Sequence, residues 1–237
     1  MGATNRSPRL RLVPLDELEA EAKSGTSLSA GLPQPAEAQD ADASSGRAGR
    51  VAPELDDELV ARVRRSEAQA FELLYRRHAE FAFNLAVRIQ GSAVDVEDVV
   101  HDAFLKARER LEDLRDSAAF RPWLGSIVVR LVRTRLRRRK LLAALGLTAP
   151  EPVEIETLAS ADADPEARAL LAQVYALLQT LSADDRIAWT LRYVERHRLE
   201  AVSVMMNCSL ATAKRRIARA QRFLNDHFVD PFSKSSP

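Results

Sequence analysis

Apolar side chains recur every three to four residues over two long stretches, Leu59 to Leu136 and Leu170 to Leu224. That period is one face of an α-helix, whereas a half-buried strand alternates every second residue. The fold expected is therefore all-α: packed amphipathic helices. With 8 Gly and 11 Pro in 237 residues, the chain has too few turn formers for a strand-rich fold or for wholesale disorder. Its single cysteine, Cys208, excludes an internal disulfide framework and a multi-cysteine zinc site, and fits a reducing compartment. No apolar run approaches the ~18–20 residues of a membrane span, and the first residues lack the apolar core of a secretory signal. A cytoplasmic protein is expected.

The pattern divides the chain. Residues 1–51 carry scattered Gly, Pro, Ser and Ala without a period and read as a disordered N-terminal tail. Residues 52–140 hold four helical stretches. Asp56 and Asp57 open the first as first-turn acids. Ser66, with Gln69 three residues on, has capping-box spacing for the second, which Gly91 ends. The third runs from about Asp95 to Leu114. The fourth opens near Ser117–Phe120, with Pro122 in its first turn, and has Trp123 on its apolar stripe. Residues 141–163 read as a flexible acidic linker. Asp164-Pro165 is a cap followed by a first-turn proline, and Ser182 with Asp185 caps the next helix. Two short helices, about Leu199–Met206 and Leu210–Asn225, flank Asn207-Cys208-Ser209 in the outline of a helix-turn-helix. They complete a second helical domain, 164–228, and 229–237 is a C-terminal tail.

Net charge hides the informative feature. Lys+Arg 35 against Asp+Glu 34 gives +1, but the signs are segregated. From Ser117 to Pro150 every charge is positive: Arg121, Arg130, Arg133, Arg135, Arg137, Arg138, Arg139 and Lys140. From Glu151 to Glu166 every charge is negative. Ser209 to Asn225 carries Lys214, Arg215, Arg216, Arg219 and Arg222 and no acid. The cations are mostly arginine, whose planar fork suits phosphates and guanine edges. Two basic helices separated by an acidic spacer point to a polyanion engaged at two places.

Two sequence motifs then agree. The run Ala93-Val-Asp-Val-Glu-Asp-Val-Val-His-Asp-Ala-Phe-Leu-Lys-Ala-Arg, followed by Phe120-Arg-Pro-Trp-Leu and the arginine-rich helix, resembles region 2 of extracytoplasmic-function (ECF) sigma factors of the sigma-70 family. Leu177-Leu-Gln-Thr-Leu-Ser-Ala-Asp-Asp-Arg-Ile-Ala and Cys208-Ser-Leu-Ala-Thr-Ala-Lys-Arg-Arg-Ile-Ala-Arg-Ala resemble region 4. The resemblance covers roughly 53–140 and 164–228. It implies a factor that binds core RNA polymerase and directs initiation at promoters with −10 and −35 elements.

By that resemblance, Asp95, Asp98, His101, Asp102, Phe104 and Lys106 are the polymerase-docking set. Asp95, Asp98 and Asp102 recur at helical spacing as one acidic stripe beside an apolar anchor. Arg121, Arg130, Arg133, Arg137 and Arg138 are the −10 set. Lys214, Arg215 and Arg219 are expected at or near −35 base edges, with Leu210 and Ala211 leading into the groove and Thr212 and Arg216 at phosphates or the helix start. The partners implied are core RNA polymerase, promoter DNA and an anti-sigma factor, with no cofactor, no metal and no membrane insertion.

The sequence departs from the family pattern at Arg130, where Asn is common, at Thr134, where Asp is common, at His101, where Gln is common, and at Arg215, where a small residue is usual. The first three departures bear on −10 readout and core binding, and Arg215 bears on −35 preference. Two other readings stay open on the sequence: a stand-alone helix-turn-helix regulator, and a sigma-like decoy that binds polymerase without initiating. An enzyme is not expected, because no phosphate-binding loop, nucleophile motif or metal-ligand spacing occurs.

Overall fold

The computed structural model describes residues 55–147, 153–159 and 163–229. The expected N-terminal tail and all but Val229 of the C-terminal tail lie outside them. Helix α1 (Asp56–Arg64) begins with three acids, and the Glu58 carboxylate reaches back to accept from the Leu55 N–H at 3.1 Å. Helix α2 (Ala68–Gln90) follows a corner that differs from expectation. Ser66 does not cap it: Ser66 takes the left-handed conformation (φ 67°), and Glu67 holds the N-cap position. Gly91 ends α2 in the left-handed conformation (φ 71°), its N–H donating to the Val87 carbonyl, as expected.

Helix α3 (Val96–Glu109) stops sooner than the sequence suggests, and a 3-10 turn, Leu111–Asp113, buries Leu111 in its place. A second 3-10 turn, Ser117–Ala119, leads into α4 (Phe120–Ala144), a 25-residue helix with Pro122 in its first turn. Leu59, Leu74, Leu85, Ile89, Phe104, Phe120, Leu124 and Val128 are almost wholly withdrawn from water and form the core of this first region. At ~1.5–3 kcal/mol per buried large aliphatic side chain, this core outweighs any capping term. Trp123, expected in the core, is only half-buried, with its ring 6.0 Å from that of Phe120.

The linker contains one helical turn, α5 (Ile155–Leu158). Expected to be flexible, it is tethered in its described part: the Glu154 carboxylate accepts from the Ala93 N–H at 2.7 Å, and the Glu154 N–H donates to the Gly91 carbonyl at 3.0 Å. Helix α6 (Pro165–Thr180) opens on Asp164, whose carboxylate accepts from the Ala167 N–H at 2.6 Å. Helix α7 (Ala183–Trp189) opens on Ser182, whose hydroxyl accepts from the Asp185 N–H. Both caps are those read from the sequence. The α7 backbone then widens into a π-turn, Thr190–Val194, which closes with the Glu195 N–H on the Thr190 carbonyl.

Helices α8 (Leu199–Met205) and α9 (Leu210–His227) are joined by Asn207 in the left-handed conformation (φ 49°), half-buried Cys208, and Ser209, which caps α9 by accepting from the Thr212 N–H. This is the expected helix-turn-helix. Ile187, Leu191, Val202, Ile217 and Leu224 form the second core, and buried Gln221 ties it to Trp189 through Nε1–H···Oε1 at 2.7 Å.

The two helical regions pack against each other, α8 and α7 lying on α4. Gly125 of α4 permits the close approach, since a Cβ there would stand 3.1 Å from Met205 Cε. Among the described residues no helix is long and apolar enough to cross a membrane.

Candidate nucleic-acid interface

Helix α3 holds the expected docking set, and the structure divides it. Asp98, His101, Asp102 and Lys106 are exposed. They line one groove with Arg130, Thr134 and Arg138 of α4. Arg130 and Thr134 thus lie opposite His101 across the groove. Asp95 stands at the N-terminus of α3 in the left-handed conformation, and its carboxylate pairs with Arg135 at 3.0 Å and Arg139 at 3.3 Å. Those two arginines of the basic run are thereby spent on fixing α4 to α3.

Phe104 requires a correction. It is 2% exposed, packed on Tyr75 with ring centroids 4.6 Å apart and on the edge of Phe71, and offers no surface to a partner. The next residue, Leu105, is 46% exposed and is the apolar side chain that α3 presents. Leu73 and Tyr75 of α2 are also exposed large apolar residues. The sequence signal for Leu105 was its place one residue off the buried stripe.

The −10 set divides as well. Arg121 lies over the Phe81 ring at 4.4 Å as a cation–π pair. Arg130 and Arg138 are exposed on the α3–α4 groove. Arg133 and Arg137 face the second region instead. Asp184 in the first turn of α7 forms an ion pair with Arg133, Nε to Oδ1 at 3.1 Å, and accepts a hydrogen bond from Arg137 Nη2 at 2.9 Å. Arg133 also donates through Nη2 to the Met206 carbonyl at the C-terminus of α8, 2.8 Å away. Burial depresses the Arg133 guanidinium from its usual value; Asp184 opposes that shift, while Arg216 and Arg137 add to it.

On α9, Leu210, Ala211 and Arg215 are exposed, and Thr212 and Lys214 are half-buried. Ser209 and Thr212 fix the start of the helix, with hydroxyls 2.9 Å apart, and Arg215 donates to the Thr212 hydroxyl at 3.3 Å. Arg219 has a different environment. Its guanidinium makes a two-pronged pair with Asp185, at 2.8 and 2.6 Å, and Asp185 is 4% exposed. The Asp185 hydrogen bond, and then its charge, hold Arg219 above its usual pKa. Arg219 thus ties α9 to α7, with its side chain 61% exposed. Arg216 donates to Asp184 at 2.7 Å. Asp184 and Asp185 were legible only as first-turn acids of α7; their partners come from helices distant in sequence.

A helix-turn-helix with a capped, basic second helix, packed on a four-helix region whose longest helix carries an arginine run, has the form of a two-part promoter-binding factor. Residues 74–141 match the family Sigma-70 region 2, and residues 171–224 match Sigma-70, region 4. The chain is 32% identical over 179 residues to the RNA polymerase sigma-H factor of Pseudomonas aeruginosa, covering 73% of this chain and 93% of that one. It is 32% identical over 189 residues to the ECF RNA polymerase sigma-E factor of Escherichia coli K12, covering 74% and 95%. Among solved structures, the fold is similar to that of the sigma factor RpoE in complex with the anti-sigma factor NepR from Bartonella quintana, with a TM-score of 0.50 and 21% identity over 67% of this chain and 96% of that one.

The chain belongs to the ECF sigma factors of the sigma-70 family. It is a promoter-recognising transcription initiation factor.

Proposed function

We propose that this sigma factor divides its work between two surfaces. Region 2, residues 52–140, docks on core RNA polymerase through Asp98, His101, Asp102, Lys106 and Leu105 of α3. It holds the −10 strand through Arg130 and Arg138, with Arg121, Arg133 and Arg137 on backbone phosphates. Region 4, residues 164–228, enters the −35 major groove with the start of α9. There Lys214 and Arg215 reach base edges, Leu210 and Ala211 lie against the groove, and Thr212 and Arg216 hold phosphates. Arg219 keeps α9 in register on α7 and is a positioning residue. The observation that carries this reading is the exposure of Leu210, Ala211 and Arg215 in the first turns of α9, held by the Ser209 cap, while Ala213, Ile217 and Leu224 on the opposite stripe are buried.

The factor acts in the cytoplasm, where polymerase and promoter DNA meet, and has no catalytic reaction of its own. An anti-sigma factor is a third partner, the kind of protein bound to the Bartonella sigma factor. The docking part is tested by reversing the exposed acids. Asp98→Arg with Asp102→Arg is expected to abolish co-elution with core RNA polymerase while leaving the helical circular dichroism unchanged. Undiminished co-elution overturns the docking role.

A further inference from the structure

Asp184 is the one carboxylate in the described residues that meets arginines from both basic helices. Arg133 and Arg137 come from α4, and Arg216 from α9. The cluster is half-buried apart from Arg137: Asp184 is 15% exposed, Arg133 19% and Arg216 18%, and Arg137 61%. A carboxylate that accepts from two guanidinium groups and stands in ion-pair contact with a third reproduces the chemistry of a backbone phosphate, which arginine forks bind in the same way. Asp185, its neighbour, serves only its own region by seating Arg219. The two adjacent acids therefore have different work, one within region 4 and one across the contact between regions.

We propose that Asp184 is a built-in phosphate surrogate that occupies Arg133, Arg137 and Arg216 in the free chain and lowers its affinity for DNA until a nucleic-acid phosphate displaces it. The proposal rests on the reading of those arginines as phosphate contacts. Its physical consequence is an exchange reaction. DNA binding to the free chain must break three ion pairs before it makes three, so the net gain in ion pairs is small. The gain in released counterions is correspondingly smaller than the number of arginines suggests. The device keeps a chain with two arginine-rich helices from adhering to duplex indiscriminately.

The test uses the full chain, free of polymerase, and a fluorescent 30-base-pair duplex of arbitrary sequence, with affinity followed by anisotropy across a salt series. Asp184→Asn keeps the shape of the side chain and removes its charge. It is expected to bind about tenfold more tightly at low salt, with a steeper fall of log affinity against log salt. Glu166→Gln, at an exposed first-turn acid of α6, makes the same change in net charge away from the cluster and reports the bulk charge effect alone. Asp184→Glu restores the carboxylate and returns affinity toward that of the unaltered chain. If Asp184→Asn tracks Glu166→Gln in both affinity and slope, the surrogate role is overturned. The underlying reading fails separately: Arg216→Ala with full polymerase-directed transcription removes the phosphate role of Arg216, whatever the free-chain duplex shows.

Discussion

The contact between region 2 and region 4 includes, beside the apolar packing at Gly125 and Met205, two seams built on opposite principles. One lies at the C-terminus of α2. There the Tyr175 hydroxyl donates to the Arg88 carbonyl at 2.9 Å, Arg186 donates to the Gln90 carbonyl, and the Glu154 N–H donates to the Gly91 carbonyl. Tyr175 is 2% and Arg186 5% exposed. These groups satisfy the last carbonyls of a helix, which its own ladder leaves without partners, and the Arg186 cation sits at the negative end of the α2 dipole. The other seam is the half-buried cluster around Asp184, extended at its edge by Lys140, whose ammonium reaches the Leu181 carbonyl beyond the end of α6. The first seam is dry at Tyr175 and Arg186 and built largely on backbone carbonyls, with one ion pair, Arg88–Glu195 at 2.9 Å, at its edge. The second is ionic and open to water, where salt and phosphates compete.

The largest effect is expected where the dry seam admits no volume. A Cβ at Gly91 would stand 3.0 Å from both Arg186 Nη2 and Tyr175 Cδ1, on a backbone with φ +71°. Gly91→Val is expected to cost about 3 kcal/mol in chemical denaturation, part from strain and part from wedging the regions apart. A cost under about 1 kcal/mol would mean that the seam yields freely.

A smaller effect follows from the Tyr175 hydroxyl. Tyr175→Phe is expected to lose about 1 kcal/mol by leaving the Arg88 carbonyl unpaired. Burial pushes the Tyr175 phenol up to about 12. Because the folded value lies above the ordinary ~10, its contribution to stability is complete below pH ~10 and fades as pH rises toward 12. Phenolate absorbance, compared between the unaltered chain and Tyr175→Phe, is expected to place this group's ionisation near 12. Ionisation near 10 would show the seam open in solution.

The smallest effect belongs to the wet seam. Lys140→Ala is expected to cost less than about 0.5 kcal/mol, as exposed cations at helix C-termini do. A loss as large as that of Gly91→Val would erase the distinction between the seams.

Much of this was written locally in the chain. The Asp164-Pro165 and Ser182 caps, the Gly91 stop and the turn at Asn207–Ser209 are set by a few neighbouring residues, and each formed as read. The errors arose where distant residues decide. Phe104 and Leu105 are adjacent on a helical period that tolerates either as the inward residue, and it is Phe71 and Tyr75 of another helix that capture Phe104. Ser66 had the right spacing for a cap, but the α1–α2 corner requires a left-handed residue there. The basic runs showed that arginine was abundant; they did not show that Arg135 and Arg139 were spent on Asp95, Arg219 on Asp185, and Arg133, Arg137 and Arg216 on Asp184. Charge pairing across a tertiary contact has no period in sequence.

The division of α9 into a reading turn and a seated half is tested most directly by start-site mapping. The purified chain is added to core RNA polymerase on a genomic template, and transcripts are compared for the unaltered chain, Arg215→Ala and Arg219→Lys. The expected result is a discrete set of starts sharing −10 and −35 sequences. Arg215→Ala would then change the preferred −35 bases by about 1–3 kcal/mol of discrimination, and Arg219→Lys would lower yield at every promoter without changing preference. Starts no different from those of core polymerase alone, or a −35 preference that follows Arg219 and not Arg215, would contradict it.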